Sequence, residues 1–442
     1  MQGYPKYKDS EVEWIGRIPV SWDIRPLFTV ASESKISNKG MIESNLLSLS
    51  YGRIIQKDIE TLGGLLPESF ETYQVVNEND IIFRLTDLQN DKRSLRSAIC
   101  RERGIITSAY VAVTPKKIRP KFMHYLMRSY DETKVFYNLG SGMRQSLKYD
   151  ELKRLPLVTP PESDQKQVED FLDRETARID NLIAEKQTFI NLLKEKRQAL
   201  ISHVVTKGLD PRVKMKDSGV EWIGEVPEHW ECVSLKRLVR NIEQGWSPEC
   251  HSNPAKENCW GVLKSGAVNG GVYQAQENKE LPENFLPRPE IEVKAGDLIM
   301  SRASGSRDLI DSAAYVYETR SKLMLSDKLF RLNCLDDINP EFVSICLGSY
   351  PLRRQIELAI GGAEGLANNL SQSNIKRLFL AKPPKAEQGL IVSALKKRQE
   401  GFDRIVAETS RSIELLREHR TALISAAVTG KNDVRNYKEE AA

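Results

Sequence analysis

Apolar positions recur at spacings of three and four in two long stretches and alternate in short runs elsewhere. In the first stretch Leu172, Ile179, Lys186, Leu193 and Leu200 stand seven apart. A second series, Glu175, Leu182, Phe189, Lys196 and His203, runs beside them, and Ile183, Ile190 and Ile201 widen the stripe. In the other stretch Leu395, Phe402, Thr409, Leu416 and Leu423 keep the same period, accompanied by Ile405, Val406 and Ile413. Each pattern predicts an amphipathic helix of about forty residues, roughly 60 Å long. Such a helix needs a packing partner. The pair can pack on each other as a coiled coil, antiparallel if the halves are related by a pseudo-twofold axis, or each can pack on its own domain. Lys186, Lys196, Thr409 and Ser412 put polar groups in the seam, where they could set register.

Residues 25–150 and 233–370 instead alternate short apolar runs with turn residues. Asp80-Ile-Ile-Phe, Ala109-Tyr-Val-Ala-Val, Asp297-Leu-Ile-Met and Leu329-Phe-Arg-Leu predict strands, and short helices are expected at Lys121–Ser129 and Glu341–Ser349. The class is α+β.

The pattern is written twice. KDSEVEWIGRIPVSW, from Lys8 to Trp22, and KDSGVEWIGEVPEHW, from Lys216 to Trp230, share ten of fifteen positions at an offset of 208. Downstream, Lys153-Arg154-Leu155 matches Lys376-Arg377-Leu378, Pro160-Pro161 matches Pro383-Pro384, Gln165 matches Gln388, and ALIS at Ala199 matches ALIS at Ala422, all at an offset of 223. The 15 extra residues of the second half therefore lie between the shared blocks. Shared ends with divergent middles imply one frame carrying two different versions of one task.

Composition narrows this only slightly. A net charge of +4 and a pI near 8.5 permit nucleic-acid binding without requiring it. Six cysteines without a CxxC pair suit a reducing compartment. Cys250, His251 and Cys259 have an unusual spacing and no evident fourth ligand, so they read better as core or loop residues than as a zinc site. The charged N-terminus has no signal-peptide core, and no apolar run would span a bilayer. A cytoplasmic protein without membrane contact is expected. No phosphate loop, Asn-Pro-Pro-Tyr motif, HExxH or histidine-based triad occurs, so no catalytic residue, metal or cofactor is expected in this chain.

The loops of the middles carry the candidate chemistry. In the first half these are Arg84, Thr86, Lys92, Arg93 and Arg96, then Ser141, Gly142, Arg144 and Gln145. In the second they are Lys264, Arg302, Ser304 and Arg307, then Asn368, Asn369 and Gln372. Arg, Asn and Gln can make bidentate contacts to base edges, and Lys, Ser and glycine amides suit phosphate oxygens. A coiled-coil protein scaffold would need none of this and is the competing reading.

The order WIGxxPxxW, divergent domain and Pro-Pro helix, all repeated, together with ALISxxVT, resembles the specificity subunit of type I restriction-modification systems over about Lys6 to Lys431. The resemblance implies two target-recognition domains, each reading half of a bipartite double-stranded DNA site, at 1–158 and 208–381. It implies spacer helices at 159–207 and 382–430, forming an antiparallel coiled coil, and a tail at 431–442. Two methyltransferase subunits and restriction-translocation subunits are the implied partners. S-adenosylmethionine, ATP and Mg2+ would be theirs. The resemblance also places DNA contact in the loops near Gly140–Gln145 and Gly361–Gln372, although GSGMRQS and GGAEGLANNLSQ differ.

Overall fold

Residues 3–58, 69–88, 94–138, 146–302, 312–360, 370–435 and 437 are described by a computed structural model. They form two compact units, 1–187 with 410–442, and 188–409. The first long helix is Glu162–Lys207 and the second Lys385–Val428, so each helix contributes residues to both units.

The first unit is built on a four-stranded antiparallel sheet in the order Ser97–Ile99, Ile81–Phe83, Val111–Pro115, Ala31–Ser34. A three-stranded sheet runs Gly104–Ile106, Gln74–Val76, Ile36–Ser37. The helix Pro120–Glu132 packs on Ser97–Ile99 and buries Phe122, Met123, Leu126 and Met127 in the core. It starts one residue before the expected Lys121 because a proline fits the first helical turn, where no amide partner is required. The strand expected from Ala109 begins at Val111, since Tyr110 N donates to Thr107 O (3.1 Å) and closes a turn there.

The second unit repeats the larger sheet in the order Ala313–Tyr315, Leu298–Ser301, Leu329–Cys334, Val239–Gln244. Its helix Pro340–Leu347 is capped by Asn339, whose side chain accepts from Glu341 N and Phe342 N. That helix stops at Gly348, and a separate one, Tyr350–Ile360, follows. The smaller sheet departs from the first unit's. Here Gly261–Leu263 pairs with Leu323–Met324 in parallel and with Asn278–Glu280 antiparallel. The hairpin Leu47–Ser50/Arg53–Gln56 belongs to the first unit.

The shared sequence blocks form matching joints. In the first unit Trp22 is fully buried and its Nε1 donates to Asp164 Oδ2 (2.9 Å) at the start of the first helix. In the second, buried Trp230 donates to Glu387 Oε2 (3.0 Å) at the start of the second helix. Each ring also lies beside a helix-ending glycine with positive φ. A Cβ on Gly430 would meet Pro19 at 2.4 Å and Trp22 at 2.9 Å, and one on Gly208 would meet Trp230 at 3.3 Å.

Within each unit the two helix segments therefore run antiparallel. In the first unit, Asp164 and Gly430 meet at Trp22, while Arg420 makes a two-pronged ion pair with Asp180 (2.9 and 3.1 Å). In the second, Gly208 and Glu387 meet at Trp230, while Arg197 reaches Asp403 (2.8 Å).

Gln165 and Gln388 tie these helices to the sheets. Gln165 Oε1 accepts from Arg119 N (2.8 Å), and its Nε2 donates to Pro160 O (2.8 Å). Gln388 does the same with Asn339 N (2.8 Å) and Pro383 O (2.9 Å). Both side chains are buried, and each amide uses both its oxygen and its nitrogen to orient a short helix against a long one.

Candidate nucleic-acid interface

Apart from Lys264, the expected contact residues fall in two pairs of segments. Lys92, Arg93, Ser141, Gly142, Arg144, Gln145, Ser304, Arg307, Asn368 and Asn369 lie outside the described residues. The stems of those loops are described, and they converge.

In the first unit Arg84 N donates to Arg96 O (2.8 Å), closing the stem of the loop that contains Lys92 and Arg93. Leu147, which follows the loop containing Arg144, donates its N–H to Leu85 O (2.9 Å) in that same stem. In the second unit Ser301 N donates to Ser312 O (2.9 Å) around the loop containing Arg307. Leu370, after the loop containing Asn368, donates to Arg302 O (3.1 Å). Leu147 and Leu370 stand at the repeat offset of 223, and Leu85 and Arg302 at the offset of 217 that also relates Asp80 to Asp297. In each unit, then, two polar segments are joined at one stem at the end of the central strand.

Matching carboxylates brace these stems. Asp80 accepts from Asn77 N (2.9 Å) and from Thr114 Oγ1 (2.6 Å). Asp297 accepts from Lys294 N (2.9 Å) and from Arg331 Nη1 (3.1 Å). Asp131 adds a brace in the first unit: its Oδ2 accepts from Arg96 N (2.7 Å), Ser97 N (2.9 Å) and Ser97 Oγ (2.9 Å). Burial pushes the Asp131 carboxyl up to about 6, against the opposing pull of these hydrogen bonds and of Arg128. The sequence reading missed Asp131 and Leu147. The one signal was that Leu147 and Leu370 continue the offset of 223 upstream of its obvious blocks.

Among the described candidates Arg96 is a correction. It was expected to contact DNA, but it is fully buried. Its guanidinium donates to Thr86 O (3.1 Å), Asp87 O (3.3 Å) and Tyr137 Oη (3.3 Å). It shapes the stem from inside, because a guanidinium removed from water must use its donors on protein acceptors. Arg84 and Thr86 are half-buried beside it.

Arg302 is half-buried at the second stem, its guanidinium carbon 5.9 Å from the Phe330 ring centre. Gln372 opens the helix Gln372–Arg377, two residues past Leu370, with Ser371 as its cap. Lys264 is brought to neither stem. It precedes the turn Ser265–Gly271, and its ammonium lies 3.6 Å from Glu277. Among the described residues no cluster of three His, Cys, Asp or Glu side chains could hold a metal, and no helix is long and apolar enough to cross a membrane.

No family model matches the sequence. The chain is 38% identical to the EcoEI specificity subunit of a type I restriction enzyme from Escherichia coli over 173 residues, which are 39% of this chain and 29% of that protein. It is 24% identical to the MjaVIII type I specificity subunit of Methanocaldococcus jannaschii over 380 residues, 82% of this chain and 81% of that one. In fold it is similar to a chain from a structure on complex assembly and conformational transition of the type I R-M system, with a TM-score of 0.67 at 15% identity over 93% of this chain and 98% of that one. The HsdS subunit from Thermoanaerobacter tengcongensis matches with a TM-score of 0.50 at 15% identity, covering 94% and 98%. The chain is thus similar in sequence to type I restriction enzyme specificity subunits, over part of its length at 38% identity and over most of it at 23–24%, and it shares the fold of the HsdS subunit.

Proposed function

We propose that this chain is the DNA-specificity subunit of a type I restriction-modification complex, a reader with no catalysis of its own. Each unit carries one reading head, and the two heads read the two halves of a bipartite double-stranded site. The observation that supports this most strongly is the hydrogen-bonded stem shared by two polar segments, present at equivalent positions in both units. A loop pair with Arg, Asn, Gln and Gly can combine bidentate base contacts with amide contacts to phosphate. Because the stems are equivalent and the loops are not, two different sequences can be read on one frame. Each head can bind weakly, since tethering raises the effective concentration of the second.

The proposed domains are recognition at 1–158 and 208–381, with the helical parts at 159–207 and 382–430 acting as an antiparallel spacer. The spacer sets the gap between half-sites and offers two methyltransferase subunits equivalent docking faces. Adenine methylation with S-adenosylmethionine, and cleavage with ATP and Mg2+, belong to those partners and to restriction-translocation subunits. Arg84, Thr86, Arg302 and Gln372, with the loop residues Lys92, Arg93, Ser141, Gly142, Arg144, Gln145, Ser304, Arg307, Asn368 and Asn369, are the proposed contacts.

Selection of bound duplexes from a random library by the reconstituted methyltransferase complex tests this reading. Two short specified segments separated by unspecified bases are expected. Enrichment of no sequence, with the complex intact, would favour the scaffold reading instead.

A further inference from the structure

The first unit contains a cavity of about 1190 Å³ that none of the described proposed contact residues lines. Its walls are the turn Tyr51–Gly52, the strand Ser97–Ile99 with Arg101, the helix Pro120–Glu132 and the facing segments of the two long helices. Five arginines line it: Arg53, Arg101, Arg128, Arg417 and Arg420. Arg420 is neutralised by Asp180. Arg53, Arg101 and Arg417 have no ion-pair partner among the described residues. Glu132 and Glu418 also line the cavity and leave it with a cationic excess.

Two groups in its wall are incomplete. Arg128 Nη2 donates to Gly52 O, while Arg128 Nη1 is shielded from solvent without an acceptor. His124 Nδ1 is likewise buried without a partner. A guanidinium N–H left without an acceptor costs more than a neutral group would. The fold nevertheless holds this one in place: Gly52, at φ +74°, has no Cβ, and one built there would lie 2.0 Å from Arg128 Nη1. Burial, followed by the fields of Arg128, Arg101 and Arg420, pushes the His124 imidazole down to about 3, so it stays neutral and can donate or accept. At the equivalent positions, counted from the start of the short helix, the second unit has Ser344 and Gly348 in place of His124 and Arg128.

We propose that this cavity is a binding site for a phosphate-bearing anion, held by Arg128 and His124 at its floor and by Arg53, Arg101 and Arg417 at its rim. Guanidinium groups match phosphate oxygens in paired, charge-assisted hydrogen bonds. The volume exceeds that of most single-metabolite pockets, so it accommodates a polyphosphate or nucleoside triphosphate as well as a stretch of phosphodiester backbone. The inference concerns a site beside the reading head and does not depend on which DNA sequence that head recognises.

The test is titration calorimetry of the full chain with inorganic pyrophosphate at fixed ionic strength, alone and with a duplex present. One pyrophosphate per chain is expected. Arg101→Ala and Arg417→Ala, which change exposed side chains, should each weaken binding about tenfold with the melting temperature unchanged. Arg128→Gln should abolish it, while Arg404→Ala, outside the cavity, should leave it intact. Pyrophosphate binding that persists with duplex present identifies a free anion as the ligand, whereas displacement by any duplex identifies the DNA backbone; both support the site. Absence of pyrophosphate binding, or binding indifferent to Arg101→Ala and Arg417→Ala, would overturn it.

Discussion

Gln165 and Gln388 show how a residue can be conspicuous in a repeat before its work is known. The match was legible because it keeps the offset of 223, but the work depends on where the chain turns. Each amide satisfies one backbone N–H and one proline carbonyl in a buried corner. Gln165→Ala and Gln388→Ala should each cost about 1–3 kcal/mol by stranding those groups. In thermal unfolding each should lower the transition of its own unit. A variant that melts like the wild type would show that water replaces the amide without penalty.

Arg96 is the opposite case, since as a basic residue in a polar loop it could not be told from a contact residue until its burial was seen. Its neighbour Asp131 supplies a pH test. The folded carboxyl holds its proton up to about 6, and the unfolded one releases it near 3.8. Between those values the folded chain binds more protons, so this group's contribution falls as pH rises through the window, by ~3 kcal/mol at most. His124 acts with the opposite sign: neutral when folded down to about 3, it lowers stability as pH falls below 6.5. Asp131→Asn removes the first effect and keeps the second. The melting temperature of the variant, relative to wild type, should drop as pH is lowered from 7.5 to 4.5. Parallel profiles would contradict the perturbed carboxyl.

At the scale of elements, the periodic signals carried far. The long apolar stripes became Glu162–Lys207 and Lys385–Val428, and the central strands and short helices lie within a few residues of expectation. Strand partners were not legible, because register depends on contacts across the sheet rather than on local alternation. The parallel pairing of Gly261–Leu263 with Leu323–Met324 left no local mark. Helix ends depend on single residues. Gly430→Ala would place a Cβ against Pro19 and Trp22 at a positive φ, so it should destabilise the first unit strongly, whereas a helix-interior alanine would not. Limited proteolysis comparing the two units checks this, and equal resistance to wild type would contradict the tight joint. Helix length belongs to the proposed spacer role. Four residues added to both long helices, ~6 Å of rise, should widen the unspecified gap by about two base pairs and leave both half-sites unchanged.

At the scale of the molecule, the repeat gave the most information. Offsets of 208 and 223 separated frame from variable parts, and the structure shows the frame as two sets of Trp, Gln and Gly joints. The candidate site was legible only as loops of suitable composition. Their common stem arises from hydrogen bonds between residues as far apart as Leu85 and Leu147, which no window of sequence displays. The central claim is that one unit reads one half-site. The most direct measurement is methylation mapping of host DNA carrying either this chain or a version whose residues 25–150 come from another subunit of the family. The prediction is that one half of the site changes while the other half is retained. If both halves change, or neither does, the two units are not independent reading heads.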